Sequence, residues 1–499
     1  MEINQEIKKK PRIKRKSEFI GIFDYNAEYL PLDEPILKKI SEIASDYKFE
    51  VYVVGGFVRD YFLNRERNDI DITVVGDSIK FSKIVAETFN SKPIIYERFK
   101  TALVPVGMYH IEFVGTRKEE YLPDSRKPIV TDGTLEDDLK RRDFTVNAMA
   151  ASLNKNDFGK LIDLFDGKKD LESKILKTPL EPGVTFSDDP LRMMRAARFA
   201  SQLNYRLDNK AYEKMIEMAE RISIISQERI TDEFFKILDS DYPSVGLSIL
   251  YQTGILEHIF PELHNLAGVD IVNSNERSYA HKDVFRHSLK VLDNIIPMTS
   301  NRWLRFVALV HDIAKPRTKR FNNNSGWTFH GHEDLGAKMM PKIFKRMRFP
   351  LDNLEYVQKL VRLHQRPMQL VDDEITDSAI RRLAVNAGAD LEDLFTLCRA
   401  DITTKNPNLT EQYKQNYELV FAKVIEVQEK DKLREFQSPV RGEEIMEVFG
   451  IEPSRNVGII KSRIEDAILD GLIPNEYEPA KEFMMKHKDE WTIELGISK

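Results

Sequence analysis

The apolar periodicity of this chain changes once, near Asp163, and that change limits the folds open to it. From Asp33 to about Lys160, short alternating runs interleave with helical stretches. PILKKISEIASDY and SIKFSKIVAETF read as helices; EVYVVGG, IDITVVG, TALVPVG and MYHIEFVG read as strands. Beyond Asp163 the two-residue alternation stops and helix-length periodicity runs to the C-terminus. The pattern predicts an α+β chain: an α/β head followed by all-helical domains. At about 100 to 200 residues per domain, 499 residues make three or four of them. Interruptions near Asp163, over the polar stretch 268–282 and near Lys405 divide the chain into a basic tail (1–32), a head (33–162), a helical neck (163–267), a third domain (268–405) and a helical C-terminal region (406–499).

Hydrophobic residues make up 41% and charged residues 31%, an ordinary globular balance that excludes disordered and fibrous classes. Cys398 is the only cysteine, which excludes an internal disulfide and a thiolate metal cage and fits a reducing cytoplasm. No apolar run approaches the roughly 18 residues that span a bilayer, so no membrane partner is expected; nor is an obligate protein partner evident. The net charge of -6 does not announce a nucleic acid, and the last 99 residues carry fourteen Lys or Arg against twenty Asp or Glu. Charge distribution matters more than the total: residues 8–16, KKKPRIKRK, hold seven cations in nine positions, either a solvated tail or a phosphate contact.

The chemistry begins at VVGGFVRDYFLNRERNDIDIT (53–73), where a strand runs into Gly55 and Gly56 and then into a helix. Glycines let the backbone approach a ligand, and a helix start offers unpaired N–H groups to an anion such as a triphosphate. Arg59, in that first turn, is placed to pair with phosphate oxygens. Asp69 and Asp71, two apart on a strand, project from one face, while Ile70 and Ile72 point to the other. Adjacent carboxylates repel unless a cation sits between them, and oxygen ligands suit Mg2+. Two such ions about 4 Å apart activate an attacking hydroxyl and stabilise a leaving pyrophosphate. Glu112, in MYHIEFVG, is the candidate third carboxylate; an exposed Glu on an edge strand accounts for it equally well.

GGFVRD followed by DID resembles the head of the nucleotidyltransferases that include tRNA CCA-adding enzymes and bacterial poly(A) polymerases. LKRRDFTVNAMA (139–150), DLFDGKKDL (163–171) and DDPLRMMRAARFASQLNY (188–205) follow in the order of the bacterial class II branch, over roughly residues 34–265. The resemblance implies a polymerase-β-like head and the addition of nucleotides to an RNA 3′ end.

In DDPLRMMRAARFA, Arg192, Arg195 and Arg198 recur three apart on a helix whose other face is apolar. Three cations within two turns near a helix start repel one another and need anionic partners. By the resemblance, Asp189 and Arg192 match the pair that reads the Watson–Crick edge of the incoming base. Arg195 and Arg198 match positions that hold nucleotide phosphate, and Arg142 with Asp143 match those near ribose or phosphates. The family's acidic residue before the reading aspartate is here Asp188 rather than Glu.

Six of the ten histidines fall between His281 and His364. His287, the adjacent His311 and Asp312, His332, His364 and Asp401 are the candidate ligands, with Lys315 one turn on. Imidazole and carboxylate suit Mn2+, Fe, Ni2+, Co2+ or Zn2+. As a set they resemble the HD phosphohydrolase domain over about residues 282–405. That resemblance implies a His, His–Asp, Asp metal core, with His332 and His364 where some members recruit a second ion.

Together with the carboxylate pair, these resemblances imply a template-independent transferase that uses Mg2+, ATP and CTP to add CCA to tRNA, with an HD domain that either hydrolyses phosphoesters or serves as scaffold. Poly(A) synthesis, or addition of CC or A alone, is the alternative on the same scaffold. A phosphohydrolase with a nucleotide-sensing head is the alternative of a different class.

Overall fold

The computed structural model describes residues 28–97, 100–120, 129–268, 271–274, 277–280, 283–322, 326–372, 376–431 and 438–497. The basic run 8–16 and His281 lie outside them. The chain forms two compact units: Met1–Ala267 with Arg346–Phe349, and Gly268–Lys345 with Pro350–Lys499.

In the first unit the order is α1 (Pro35–Tyr47), β1 (Glu50–Val54), α2 (Gly56–Phe62), β2 (Asp69–Val75), α3 (Ser78–Thr88), β3 (Ile94–Tyr96), β4 (Thr101–Val106), β5 (Tyr109–Gly115), β6 (Arg117–Glu120), β7 (Ile129–Asp132), α4 (Leu135–Lys140), β8 (Met149–Ser152) and β9 (Leu161–Asp163). Seven of these strands form one sheet in the order β3-β4-β5-β2-β1-β8-β9. The β2–β5 pair is parallel and every other pair in the sheet antiparallel. β2 shows why the sequence alternates: Ile70, Ile72 and Val74 are fully buried. On β5 the buried Phe113 packs edge-on against Phe81 of α3, ring centroids 5.6 Å apart. One face of β2 is thus core, and the other carries Asp69 and Asp71. α4 starts on a reciprocal capping box, in which the Thr134 hydroxyl accepts the Asp137 N–H and the Asp137 carboxylate accepts the Thr134 N–H.

Helices follow: α5 (Gly167–Glu172), α6 (Pro182–Asp188), α7 (Leu191–Leu203), α8 (Asn209–Glu217), α9 (Gln227–Leu238) and α10 (Pro243–Gln252). α7 buries Met193, Met194, Ala196, Ala197 and Ala200 and ends at Asn204 in the left-handed conformation. The second unit is helical as well. Beyond Asp163 the described residues still make three two-stranded ribbons: 175–176 with 206–207, 271–274 with 277–280, and 320–322 with 326–328. Their strands are two to four residues long, too short for alternation to register. No helix among the described residues is long and apolar enough to cross a membrane.

Candidate functional site

β1 runs into Gly55, whose φ of +68° belongs to the left-handed region that favours glycine. A Cβ there would stand 2.8 Å from Arg142 Nη1 and 3.4 Å from Asp71 Oδ2. The glycine turn, the arginine and the carboxylate therefore share one small space, and that space exists because position 55 has no side chain. Asp69 and Asp71 lie on the same face of β2, with Asp69 almost fully exposed and Asp71 half-buried. The parallel register sets Asp71 opposite Glu112 of β5, whose side chain is exposed. Three carboxylates thus line one sheet face, in an interior pairing and not on an edge strand.

Crowding shows in their acidity. Burial pushes the Asp71 carboxyl up, Asp69 adds to this, and Arg142, Arg59 and Arg195 oppose it. Glu112 is pushed up by its surroundings and then by Asp71. A divalent cation among these oxygens would relieve the repulsion, so the donor set fits Mg2+.

The cations behind the face are held by protein acceptors. Arg59 donates through Nε and Nη2 to Asp60 at 2.9 and 2.7 Å and through Nη1 to Asn147 at 2.7 Å. It is nearly buried, so the structure turns it inward, away from the phosphate contact expected of it. Arg195 gives Nε and Nη2 to Asp143 Oδ2 at 2.7 and 2.5 Å. Asp143 Oδ1 accepts from the Phe144 N–H and from Asn147. Burial works against the Asp143 charge, but Arg195, Asn147 and Arg192 overcome it and hold the carboxyl at about 2. Arg198 pairs with buried Glu233 at 2.6 Å, 4.0 Å above the Phe199 ring. The repulsion expected among the three arginines is answered by Asp143 and Glu233.

Arg192 is tied by Nη2 to the Arg141 carbonyl at 2.6 Å and by Nη1 to the Thr185 carbonyl at 3.3 Å. Asp189 accepts the Leu191 N–H at 3.1 Å and an Arg229 N–H at 2.7 Å. Both are partly accessible, each with its orientation set by neighbours.

In the second unit, His287, His311, Asp312, His332, His364 and Asp401 converge. His287 Nε2 lies 3.0 Å from Asp401 and 3.6 Å from Asp312. His311 Nε2 lies 3.3 Å from Asp312, and His332 Nε2 3.2 Å. His364 Nε2 is 3.4 Å from His332 Nε2 and 3.6 Å from Asp312. Behind each ring Nδ1 meets an oxygen: the carbonyls of Ala308, Phe329 and Val361 for His311, His332 and His364, and the Thr403 hydroxyl for His287. A carbonyl only accepts, so those three Nδ1 atoms carry the proton and Nε2 is the metal-facing nitrogen. Two groups, His287–His311–Asp401 and His311–Asp312–His364, each bring their ligand atoms within 4.8 Å of one another.

Among the described residues, His311 Nε2 and Asp312 Oδ1 are buried and meet no hydrogen-bond partner in good geometry, though His332 Nε2 lies 3.2 Å from that oxygen; a divalent ion would fill this deficit. Burial disfavours the Asp312 charge, yet His311 and Lys315 hold its carboxyl well below the ordinary range, with Lys315 Nζ at 2.7 Å. Burial likewise disfavours charge on His311, yet Asp312 holds it up at about 9. His287, Asp312, Lys315, His364 and Asp401 border a cavity of about 700 Å3, which Trp327, Phe329 and Tyr413 also line.

Residues 51–177 match the Poly A polymerase head domain, 204–266 the probable RNA and SrmB-binding site of polymerase A, and 284–402 the HD domain. The multifunctional CCA protein of Methylococcus capsulatus is 32% identical over 366 residues, which is 70% of this chain and 81% of that protein. The chain belongs to the tRNA nucleotidyltransferase family. The A-adding tRNA nucleotidyltransferase of Deinococcus radiodurans is 29% identical over 71% of this chain and 80% of its own length. Among solved structures, the Bacillus stearothermophilus CCA-adding enzyme in complex with CTP shares the fold with a TM-score of 0.58 and 21% identity, covering 92% of this chain and 100% of that one.

In this nucleotidyltransferase, sequence reasoning missed Asp138, Asn147, Arg229 and Glu233. Asp138 was legible: it precedes Arg141 and Arg142 by three and four residues, the spacing of helical ion pairs. Glu233 and Arg229 carried no local signal, because their partners lie 35 and 40 residues away.

Proposed function

We propose that this enzyme adds the complete CCA sequence to tRNA, taking cytidylate and adenylate from CTP and ATP. The observation that carries the reading is the carboxylate row of Asp69, Asp71 and Glu112 beside the Gly55 turn and Arg142. Mg2+, when bound to those oxygens, would activate the tRNA 3′ hydroxyl and offset the charge on the leaving pyrophosphate. The chain's own part is positional. Gly55 leaves room for the triphosphate, and Arg142 faces it with positive charge. Asp189 and Arg192 present an acceptor and donors to the base, complementary to the amino group and the ring nitrogen or carbonyl that cytosine and adenine carry. Asp143, Arg195, Arg198 and Arg59 fix that geometry from behind. The head (33–162) would supply the chemistry, the neck (163–267) the base selection, and the C-terminal region (406–499) the tRNA contact by shape.

Relatives named as adding CCA and relatives named as adding A alone both resemble the chain, so the test must separate them. One tRNA lacks its last three nucleotides and a second ends in CC; each is incubated with labelled CTP and ATP. Extension of both to CCA supports the reading, and extension of the second alone reassigns the enzyme to A addition. Long A tails would make it a poly(A) polymerase.

The second unit supports a further activity: hydrolysis of a phosphoester, such as a nucleoside 2′,3′-cyclic phosphate. His287, His311, Asp312 and Asp401 would hold a divalent ion such as Ni2+, Mn2+, Co2+, Fe or Zn2+, with His332 and His364 available to a second. The convergence of imidazole Nε2 atoms on Asp312 favours it. Phosphate release with added Ni2+ or Mn2+ that persists in His311→Ala would assign the hydrolysis elsewhere.

A further inference from the structure

Asp138 has no exposed side-chain surface, and no role described above requires it. Its position is nonetheless specific. Oδ1 accepts from Arg141 Nη2; Oδ2 accepts from Arg142 Nη2 at 3.1 Å and from the Thr73 hydroxyl at 3.2 Å. Burial opposes the charge, but the two guanidiniums keep the carboxyl below its ordinary range. A buried carboxylate facing two cations and a hydroxyl is an arrangement that apolar packing would not produce.

Each partner leads to the reacting centre. Thr73 is two residues beyond Asp71, so it continues the face of β2 that carries Asp69 and Asp71, at the end where that face closes into the core. Asp138, from α4, takes the next place in the row. Arg142, held by Nη2, sends Nη1 to the space over Gly55 beside Asp71 Oδ2. Its buried Nε makes no hydrogen bond among the described residues, so the contact with Asp138 anchors that guanidinium. Arg141, held through Oδ1, offers its carbonyl to Arg192 on the base-reading helix.

We propose that Asp138 is a positioning residue for nucleotidyl transfer: a buried carboxylate that fixes Arg142 over the Gly55 turn, so that its charge meets the triphosphate of the incoming nucleotide. The inference rests on the proposed nucleotide site. Asp138 touches neither substrate nor metal and acts through Arg142. An arginine side chain has several rotatable bonds, and fixing it in advance removes the cost of ordering it when the triphosphate arrives.

The test is a double-mutant cycle on the full chain, with kcat and KM measured for ATP and for a tRNA ending in CC. Asp138→Asn keeps the shape and removes the charge. It should lower kcat about 10- to 100-fold, the range for losing hydrogen bonds between charged groups, with the KM for tRNA within about twofold of the parent, as expected for an effect confined to the head. In an Arg142→Gln background the same change should cost less than about threefold, since the residue it acts through is gone. An equal factor in both backgrounds, or a kcat for Asp138→Asn within twofold of the parent, would overturn the proposal. Should Asp138→Asn fail to fold, Thr73→Val removes one of the bonds to Oδ2 and leaves the carboxylate. It should lower kcat about 3- to 10-fold, as for one hydrogen bond, and an unchanged kcat overturns the proposal equally. If the parent itself extends no tRNA, the nucleotide site fails and not this inference, whose failure is additivity in an active enzyme.

Discussion

Replacing Asp143 by Asn should destabilise the first unit by about 2.5 kcal/mol at neutral pH, and that loss should shrink on acidification. The magnitude follows from the carboxyl's environment. Its value falls from an ordinary 3.8 to about 2 despite burial, because Arg195 holds it at 2.5 and 2.7 Å. At about 1.36 kcal/mol per pH unit, the bound state of the charge is worth about 2.5 kcal/mol. Breaking a buried ion pair by removing one partner costs about 3 to 5 kcal/mol in general, so the estimate falls just below that range. The sign is that of a depressed carboxyl: the contribution is fully present above the unfolded value near 3.8 and is lost as pH falls through about 2. By pH 3 roughly half should be gone, so the parent and Asp143→Asn should converge. Hydrogen exchange of the amides of α7, read by mass spectrometry at pH 5 and pH 3 with correction for intrinsic rates, reports the local free energy. A gap below about 0.5 kcal/mol at pH 5, the size of an ordinary surface substitution, would refute the reasoning, and so would a gap that does not narrow by pH 3.

Asp71→Asn should abolish nucleotide incorporation, by about 1,000-fold or more for the loss of a metal-bound oxygen, while tRNA affinity by filter binding changes less than threefold; retained incorporation would remove Asp71 from the centre. Gly55→Ala places a methyl 2.8 Å from Arg142 Nη1 at a φ of +68°. It should cost about 1 to 3 kcal/mol in strain, read as a lower urea midpoint, and should raise the KM for ATP; an unchanged KM would show that the guanidinium is not held over the turn. Asp312→Ala should reduce metal retained after dialysis, measured by mass spectrometry, from about one or two ions per chain to none, the stoichiometry of mononuclear and dinuclear sites. Undiminished metal would place it elsewhere.

What could be read from the sequence divides along physical lines. Pro35–Tyr47 and Ser78–Thr88 were legible because their apolar residues repeat at helical spacing. β2 was legible because Ile70, Ile72 and Val74 are buried on one face while the other starts with exposed Asp69 and half-buried Asp71. β8, by contrast, is MAAS with all four residues buried; a strand covered on both sides does not alternate, and alanine suggests a helix. The types of the site residues were legible for the same local reason, but their partners were not. Glu112 was a candidate by residue type, and its position opposite Asp71 depends on a pairing between strands 41 residues apart. The arginines of α7 were legible as cations needing anions. That Asp143 and Glu233 supply them, leaving Arg195 and Arg198 engaged within the protein, depends on side-chain geometry that no periodicity records.

One detail of the histidine cluster separates its members. His311, His332 and His364 each rest Nδ1 on a peptide carbonyl, whereas His287 rests on the Thr403 hydroxyl, which can give a proton as readily as take one. The carbonyl contacts therefore leave Nε2 as the nitrogen of those three rings that meets an ion, with no tautomer exchange required; His311, held charged by Asp312, must first give up its Nε2 proton. His287 alone of the four rests on a group that either donates or accepts, so this contact leaves open which of its ring nitrogens carries the proton.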